Sequence, residues 1–216
     1  MNDLIKRYPA LNGCTDDISA ATELLIKTFS SGGKLLLCGN GGSAADCEHI
    51  SGELLKGFMS KRSLTDEKRR EMRESYPLDE GVLDKLQMGL AAIPLTSLSA
   101  LGTAFSNDVD PELIFAQGVF ALGKECDTLI AISTSGNSKN VVRAAEVAKA
   151  VGMKVIGLAG KSGGKLKEIC DVCICAPEEE TYKVQEYHLP IYHYLCQKIE
   201  KHFLTDIIKI KTKSQP

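Results

Sequence analysis

Two groups of side chains in this sequence have the types and spacing to do chemistry. His49 and Glu53 lie four residues apart, which in a helix sets both on one face, one turn apart. An imidazole and a carboxylate held that way can bind a metal or act as acid and base, although such a pair alone is more often a surface hydrogen bond. The second group is Gln185, His188 and His193, polar residues among apolar neighbours in Thr181–His193. His188 and His202 read as histidines that satisfy buried partners or interface contacts, whereas His193 reads as functional.

Just upstream of His49 lies Gly39-Asn40-Gly41-Gly42-Ser43, and a related stretch, Ser133-Thr134-Ser135-Gly136-Asn137-Ser138, follows later. Each sits where an apolar run gives way to a helical pattern. Glycine lets backbone N–H groups approach an anion closely, and the next helix offers its positive end. The second loop adds four hydroxyls and an amide that can bond phosphate or sugar oxygens. Neither loop has the lysine of a GxxxxGK[ST] loop, and neither completes a GxGxxG fingerprint. The ligand expected is therefore a small phosphorylated molecule held by neutral donors rather than a nucleotide.

The elements that must position these residues alternate. Leu35–Cys38, Leu90–Leu95, Thr128–Ile132, Lys154–Ala159 and Val172–Ala176 are apolar and strand-like. Helical patterns cover Leu11–Ser30, Ala44–Phe58, Pro111–Leu122, Ser138–Val151 and Thr181–Phe203, with shorter ones before Asn107 and near Lys165. Continuously apolar strands alternating with helices indicate a parallel sheet covered on both faces. Ligands of such sheets bind beyond the carboxyl ends of the strands, where both loops fall. The charged stretch Ser60–Gly89 is too long for an ordinary loop and reads as a helical insertion, either solvated or serving as a lid or subunit contact. Ile207–Pro216 reads as a helix end and a frayed terminus.

At 216 residues the chain can bury a full core, and its net charge of −2 gives no support to general nucleic-acid binding. No apolar run approaches the roughly 20 residues that span a bilayer, and the first residues lack the order of a signal peptide, so a cytoplasmic protein is expected. The eight cysteines include Cys170-Asp171-Val172-Cys173-Ile174-Cys175. A second CxxC and a neighbouring histidine are missing, and alternation along a strand explains that spacing by packing.

Gly39-Asn40-Gly41-Gly42-Ser43-Ala44-Ala45-Asp46, His49 to Glu53, Asn107-Asp108, Ser133 to Ser138 and Gln185-Glu186 to His193 together resemble the phosphoheptose isomerase family of the sugar-isomerase (SIS) domain superfamily. The resemblance runs from about Leu11 to Phe203. It implies an α/β fold: a three-layer αβα SIS domain over residues 11–203, with a five-stranded parallel sheet, the 60–89 insertion within it and a tail at 204–216. It also implies an aldose–ketose isomerase that converts sedoheptulose 7-phosphate through an enediol. In the family, positions matching Asn40, Gly41, Gly42, Ser43, Ser133, Thr134, Ser135 and Ser138 hold the phosphosugar, and those matching Asn107, Asp108 and Gln185 face it. Glu53 and His193 match the acid–base pair; His49, Glu53, Gln185 and His193 match a zinc site; and the assembly is a homotetramer with sites at subunit interfaces. Gln185 and His193, however, would be about 12 Å apart along a continuous helix, so one ion joins both only through an irregular helix start or through ligands from different subunits.

This chain departs from the family at Lys56-Gly57-Phe58, where Gly-Arg-aromatic is usual. The missing arginine's contact is then lost or supplied by Lys56, Lys61 or Arg62. Two alternatives remain at this stage: a non-catalytic SIS module that senses a phosphosugar or binds a protein, and an isomerase of another sugar phosphate. A pure sensor has no need of His49, Glu53, Gln185 and His193 together.

Overall fold

The computed structural model describes the backbone of residues 1–213 and the side chains of 1–203. In chain order the elements are α1 (Asn2–Arg7), α2 (Thr15–Ser30), β1 (Leu35–Gly39), α3 (Gly42–Leu55), α4 (Asp66–Ser75), α5 (Glu80–Leu83), β2 (Ala92–Pro94), α6 (Ser99–Asp108), α7 (Ile114–Leu122), β3 (Thr128–Ser133), α8 (Lys139–Ala150), β4 (Lys154–Ala159), α9 (Leu166–Ile169), β5 (Val172–Cys175) and α10 (Thr181–Lys213). The five strands pair parallel in the order β2-β1-β3-β4-β5. The chain is thus a three-layer αβα fold.

Alternation along each strand explains why the runs are apolar throughout. Leu35 and Leu37 of β1, Ile130 and Ile132 of β3, and Ile156 and Leu158 of β4 face a core completed by α2, α3 and α10. Leu36, Cys38, Leu129, Ala131 and Val155 face the opposite core, under α7 and α8. Both sheet faces are dry, so no position can be polar without a buried partner. On the first face α10 buries Ile191, Leu195 and Ile199. Each such side chain contributes about 1.5–3 kcal/mol, and the three together pin α10 in register beside α3.

Several boundaries differ from the sequence reading. A 3₁₀ turn, Pro9–Cys14, precedes α2, and α1 lies ahead of the expected start at residue 11, with Leu4 in the core. The strand expected at Leu90–Leu95 shrinks to β2, Ala92–Pro94; it is a sheet edge, where a proline's missing N–H is tolerated. α3 begins at Gly42 and stops at Leu55, because Lys56 is extended. α10 runs past Phe203 to Lys213, so helical backbone occupies most of the expected tail, while residues 214–216 lie outside those described.

The 60–89 insertion holds two helices. Thr65 caps α4 by accepting from the Lys68 N–H, and Asp79 caps α5 by accepting from the Gly81 N–H. Arg69 bridges Glu80 and Asp84, and the segment closes through an antiparallel bridge, Ser63 to Gln87. Of its apolar residues Leu64 and Leu83 are buried, Met72 is half-buried and Leu86 is exposed.

Candidate active site

β1 is flanked by β2 on one side and β3 on the other, so the chain reverses its direction of strand addition between β1 and β3. The carboxyl ends of those two strands open a crevice, and the two glycine-bearing loops meet there. Gly41 sits at φ +56°, a left-handed turn that lets α3 start immediately after the strand. Gly136 sits at φ +67°, and a Cβ there would lie 2.0 Å from the Gly163 carbonyl oxygen, so only glycine fits. The loops are tied to each other by reciprocal amide bonds: Asn40 Nδ2 donates to Asn140 Oδ1 at 2.8 Å, and Asn140 Nδ2 to Asn40 Oδ1 at 2.9 Å. Within the second loop the Ser133 and Ser138 hydroxyls are 2.9 Å apart, and the Asn137 N–H donates to Ser135 Oγ. A cavity of about 230 Å³, lined by Asn40, Gly41, Ala44, Thr96 and Ser99 among others, opens beside the first loop. A larger hollow of about 580 Å³ lies elsewhere, against α2 and residues such as Asp127 and Lys154, and holds none of the candidate residues.

The second cluster forms farther along α3, where α10 runs beside it. His49 Nε2 lies 3.3 Å from Glu53 Oε1 and 3.5 Å from His193 Nε2. Phe58 packs on the His193 ring at 5.5 Å between centroids. Burial lowers the His193 imidazole below its usual value; neighbouring His49 lowers it further, while Glu53 opposes both. His193 is thereby held neutral near pH 7, able to give or take a proton. Behind His49 stands Tyr192, whose hydroxyl is 3.0 Å from His49 Nδ1 and donates to Asp46 Oδ1 at 3.2 Å. Burial raises the Tyr192 phenol well above its usual range, and Asp46 adds to that. Burial likewise raises the Asp46 carboxyl, against the Tyr192 hydrogen bond and the His49 charge.

Gln185 stands apart from this cluster: a Cβ on Gly42 would lie 2.5 Å from its Nε2. It belongs to the phosphate-loop end of α3, eight residues from His193, as the helix-length argument requires. Ser43 is buried, with its Cβ against Gly39, and so underlies the first loop. Asn107 and Asp108 are exposed at the end of α6, bonded to each other at 2.8 Å. Thr134 and Ser135 lie at the accessible part of the second loop. His188 is buried with Nε2 3.3 Å from the Ala159 carbonyl, as read for a structural histidine, and burial pushes it down to about 4.

Arg62 does not replace the missing arginine. Its side chain is fully buried; it donates from Nε to Glu200 Oε1 at 2.8 Å, from Nη1 to the Leu54 carbonyl at 2.5 Å and from Nη2 to the Glu53 carbonyl at 2.9 Å. Glu200 also accepts from the Phe58 and Met59 N–H groups, each at 2.8 Å. The arginine therefore caps the carboxyl end of α3, one bond from the residue that carries the candidate base. Lys56 is exposed, with Nζ 3.4 Å from Glu53 Oε2, and stays available.

Among the described residues no three His, Cys, Asp or Glu side chains form a preassembled metal site. His49, Glu53 and His193 come nearest. Their 3.3 and 3.5 Å separations match the roughly 3.4 Å between two ligands each about 2.1 Å from a tetrahedral zinc. His49 with Glu53, and His49 with His193, thus stand at separations that suit one ion. Gln185 of the same chain does not.

Sequence reasoning left Asp46, Asn140, Tyr192 and Glu200 without roles in the site. Asp46 had a signal, since residues 46, 49 and 53 fall on one stripe of a helix. The others depend on which helices pack together, which no local pattern states.

A parallel αβα sheet with two glycine-bearing loops at its switch point, the second rich in hydroxyls, defines a SIS-domain protein, and residues 100–193 and 4–78 match SIS-domain family models. Among curated relatives, the phosphoheptose isomerase of Helicobacter pylori is 41% identical over 90% of this chain and 88% of its own length. That of Roseiflexus sp. is 41% identical over 85% and 81%. A solved phosphoheptose isomerase from Francisella tularensis superposes with a TM-score of 0.74 at 32% identity, covering 93% of this chain and 94% of that one. The chain belongs to the phosphoheptose isomerase family.

Proposed function

We propose that this chain is an aldose–ketose isomerase converting sedoheptulose 7-phosphate to glycero-manno-heptose 7-phosphate through an enediol. The observation that carries the reading is the meeting of His49, Glu53 and His193 where α10 crosses α3, in a chain of this family. The Glu53 carboxylate removes a proton from the carbon next to the carbonyl, and those electrons become the enediol double bond. His193 delivers a proton to the carbonyl oxygen and takes one from the neighbouring hydroxyl, and Glu53 returns its proton to the adjacent carbon. The hydroxyls of Ser133, Thr134, Ser135 and Ser138, with Asn40, Gly41 and Gly42, anchor the phosphate away from the reacting carbons. A regulatory SIS module has no use for the Glu53–His49–His193 set.

Zinc is part of the proposal, held by His49, Glu53 and His193. When bound it supplies positive charge that polarises a carbonyl. The fourth ligand, Gln185, would come from another copy. A homotetramer is also proposed. Glu53 follows Gly42 by 11 residues, about 16 Å along α3, whereas an extended seven-carbon phosphate spans roughly 10 Å. A loop of one copy beside the cluster of another relieves that shortfall, and exposed Asn107 and Asp108 are free to join such a shared site. Eight free cysteines support a cytoplasmic setting, and no described helix is long and apolar enough to cross a membrane.

The test is direct. Purified protein is incubated with sedoheptulose 7-phosphate and the product followed by NMR. Solvent deuterium appearing at the carbon beside the carbonyl is the expected mark of the enediol, and absence of turnover overturns the reading.

A further inference from the structure

The hydrogen-bond chain behind His49 has a direction. Tyr192 is 1% exposed on α10, and its single hydroxyl proton has two neighbours that could receive it, Asp46 Oδ1 at 3.2 Å and His49 Nδ1 at 3.0 Å. A hydrogen bond to a carboxylate is charge-assisted and roughly twice as strong as one to a neutral acceptor. The proton therefore goes to Asp46, and the Tyr192 oxygen is left to accept. What it accepts from is His49, whose Nδ1 must then carry the imidazole proton.

The consequence falls on the other ring nitrogen. With Nδ1 protonated, neutral His49 has a bare lone pair at Nε2, the atom 3.3 Å from Glu53 Oε1 and 3.5 Å from His193 Nε2. The His49 and Tyr192 rings also meet edge to face at 5.5 Å between centroids, which fixes the imidazole plane.

We propose that Asp46 and Tyr192 are positioning residues that hold His49 as its Nδ1–H tautomer, against the pull of the Glu53 carboxylate for a proton on Nε2, and so turn the Nε2 lone pair towards His193. Neither touches the substrate; both act through His49. The tautomer they impose lets Nε2 receive a proton from Glu53 or His193, or a ligand's electropositive atom, without first shedding its own. The pair is a feature of this chain's two helices: Asp46 is one turn before His49 on α3, and Tyr192 immediately precedes His193 on α10. One set of contacts therefore orients the imidazole and ties its helix to the one bearing the second histidine. The kinetic part of this inference rests on the isomerase reading above; the tautomer part does not.

The experiment uses the full chain, treated with chelator, with isotope-labelled histidine, and reads nitrogen NMR shifts at about pH 8, above the usual histidine range. Wild-type His49 is expected to show a protonated Nδ1 and a bare Nε2. Tyr192→Phe keeps the ring and its packing but removes the acceptor. It should return His49 to the Nε2–H form and lower kcat by about 10–100-fold, with KM changed less than about threefold. Asp46→Asn offers Tyr192 only a neutral acceptor and Asp46→Ala offers none, so both should weaken the Nδ1–H preference and slow turnover, Asp46→Ala the more. A wild-type spectrum with the proton on Nε2 overturns the proposal, and that result needs no variant to fold. It is also overturned if Tyr192→Phe leaves the tautomer in place, or shifts it without slowing turnover. If wild-type protein does not isomerise the heptose phosphate, the function fails instead, and the spectra still decide the direction of the relay.

Discussion

Replacing Arg62 by Met should destabilise this protein by about 3 kcal/mol. Arg62 pairs with Glu200, which is 4% exposed. Removing one partner of a buried ion pair costs about 3–5 kcal/mol, because the remaining charge is left uncompensated. The lower end applies because Glu200 keeps two backbone donors, the Phe58 and Met59 N–H groups at 2.8 Å. The Leu54 carbonyl keeps the Leu90 N–H at 2.9 Å, and the Glu53 carbonyl loses the Arg62 donor at a helix end where water can replace it. At about 2–4 °C per kcal/mol for a chain of this size, Tm should fall by about 6–12 °C. Circular dichroism melts and urea titrations at pH 7 read this. Adding Glu200→Gln to Arg62→Met removes the stranded charge and should recover about 1–2 kcal/mol. The reasoning is refuted if Arg62→Met melts within about 2 °C of wild type, or if the double variant is no more stable than the single one.

Glu53→Gln should abolish turnover while phosphosugar binding, measured by calorimetry, changes less than about threefold; retained turnover would remove Glu53 from its role. Gly136→Ala combines a positive φ with a Cβ 2.0 Å from the Gly163 oxygen, so it should lower Tm and weaken inorganic phosphate binding together. Burial alone would raise the Glu200 carboxyl, yet the Phe58 N–H, Arg62 and Met59 N–H outweigh it and hold it below its usual value. Its stabilising share is then complete above about pH 4.3, the unfolded value, and is lost as pH falls through the lower folded value, so urea midpoints of wild type and Glu200→Gln should converge in acid. Joining Leu64 to Leu86 through a short turn removes α4 and α5 but keeps Arg62; it should weaken assembly or raise KM, and unchanged mass and kinetics would leave the helices as surface decoration.

β1 and β3 announced themselves as apolar runs ending in glycine and hydroxyl-rich turns, because backbone geometry at a strand-to-helix turn is decided within a few residues. His49 and Glu53 were legible because a helix fixes the distance between positions four apart. Tyr192 was not, since its meaning comes from α10 lying in register with α3. That register places Gln185 by Gly42, Tyr192 by His49 and Glu200 by Phe58. Three contacts at spacings of about two helical turns define one seam, and only packing of the apolar faces sets it. The missing family arginine was legible as an absence, but the fate of Arg62 was not.

The fate of Arg62 divides the insertion into two physical parts. A long charged stretch looks uniform in sequence, and its closely balanced signs suggest solvent throughout. Yet the segment leaves α3 through Phe58 and Met59, whose amides bond Glu200, and Arg62 folds back to cap α3. Its return strand is held by the Met88 N–H bonding the Arg62 carbonyl at 2.6 Å. The base of the insertion is therefore continuous with the core, and only α4 and α5 are carried outward. The buried guanidinium is held by three bonds, one to Glu200 and two to the carboxyl end of the helix that bears Glu53. The insertion thus acts first as a support for the candidate base, whatever its outer helices touch.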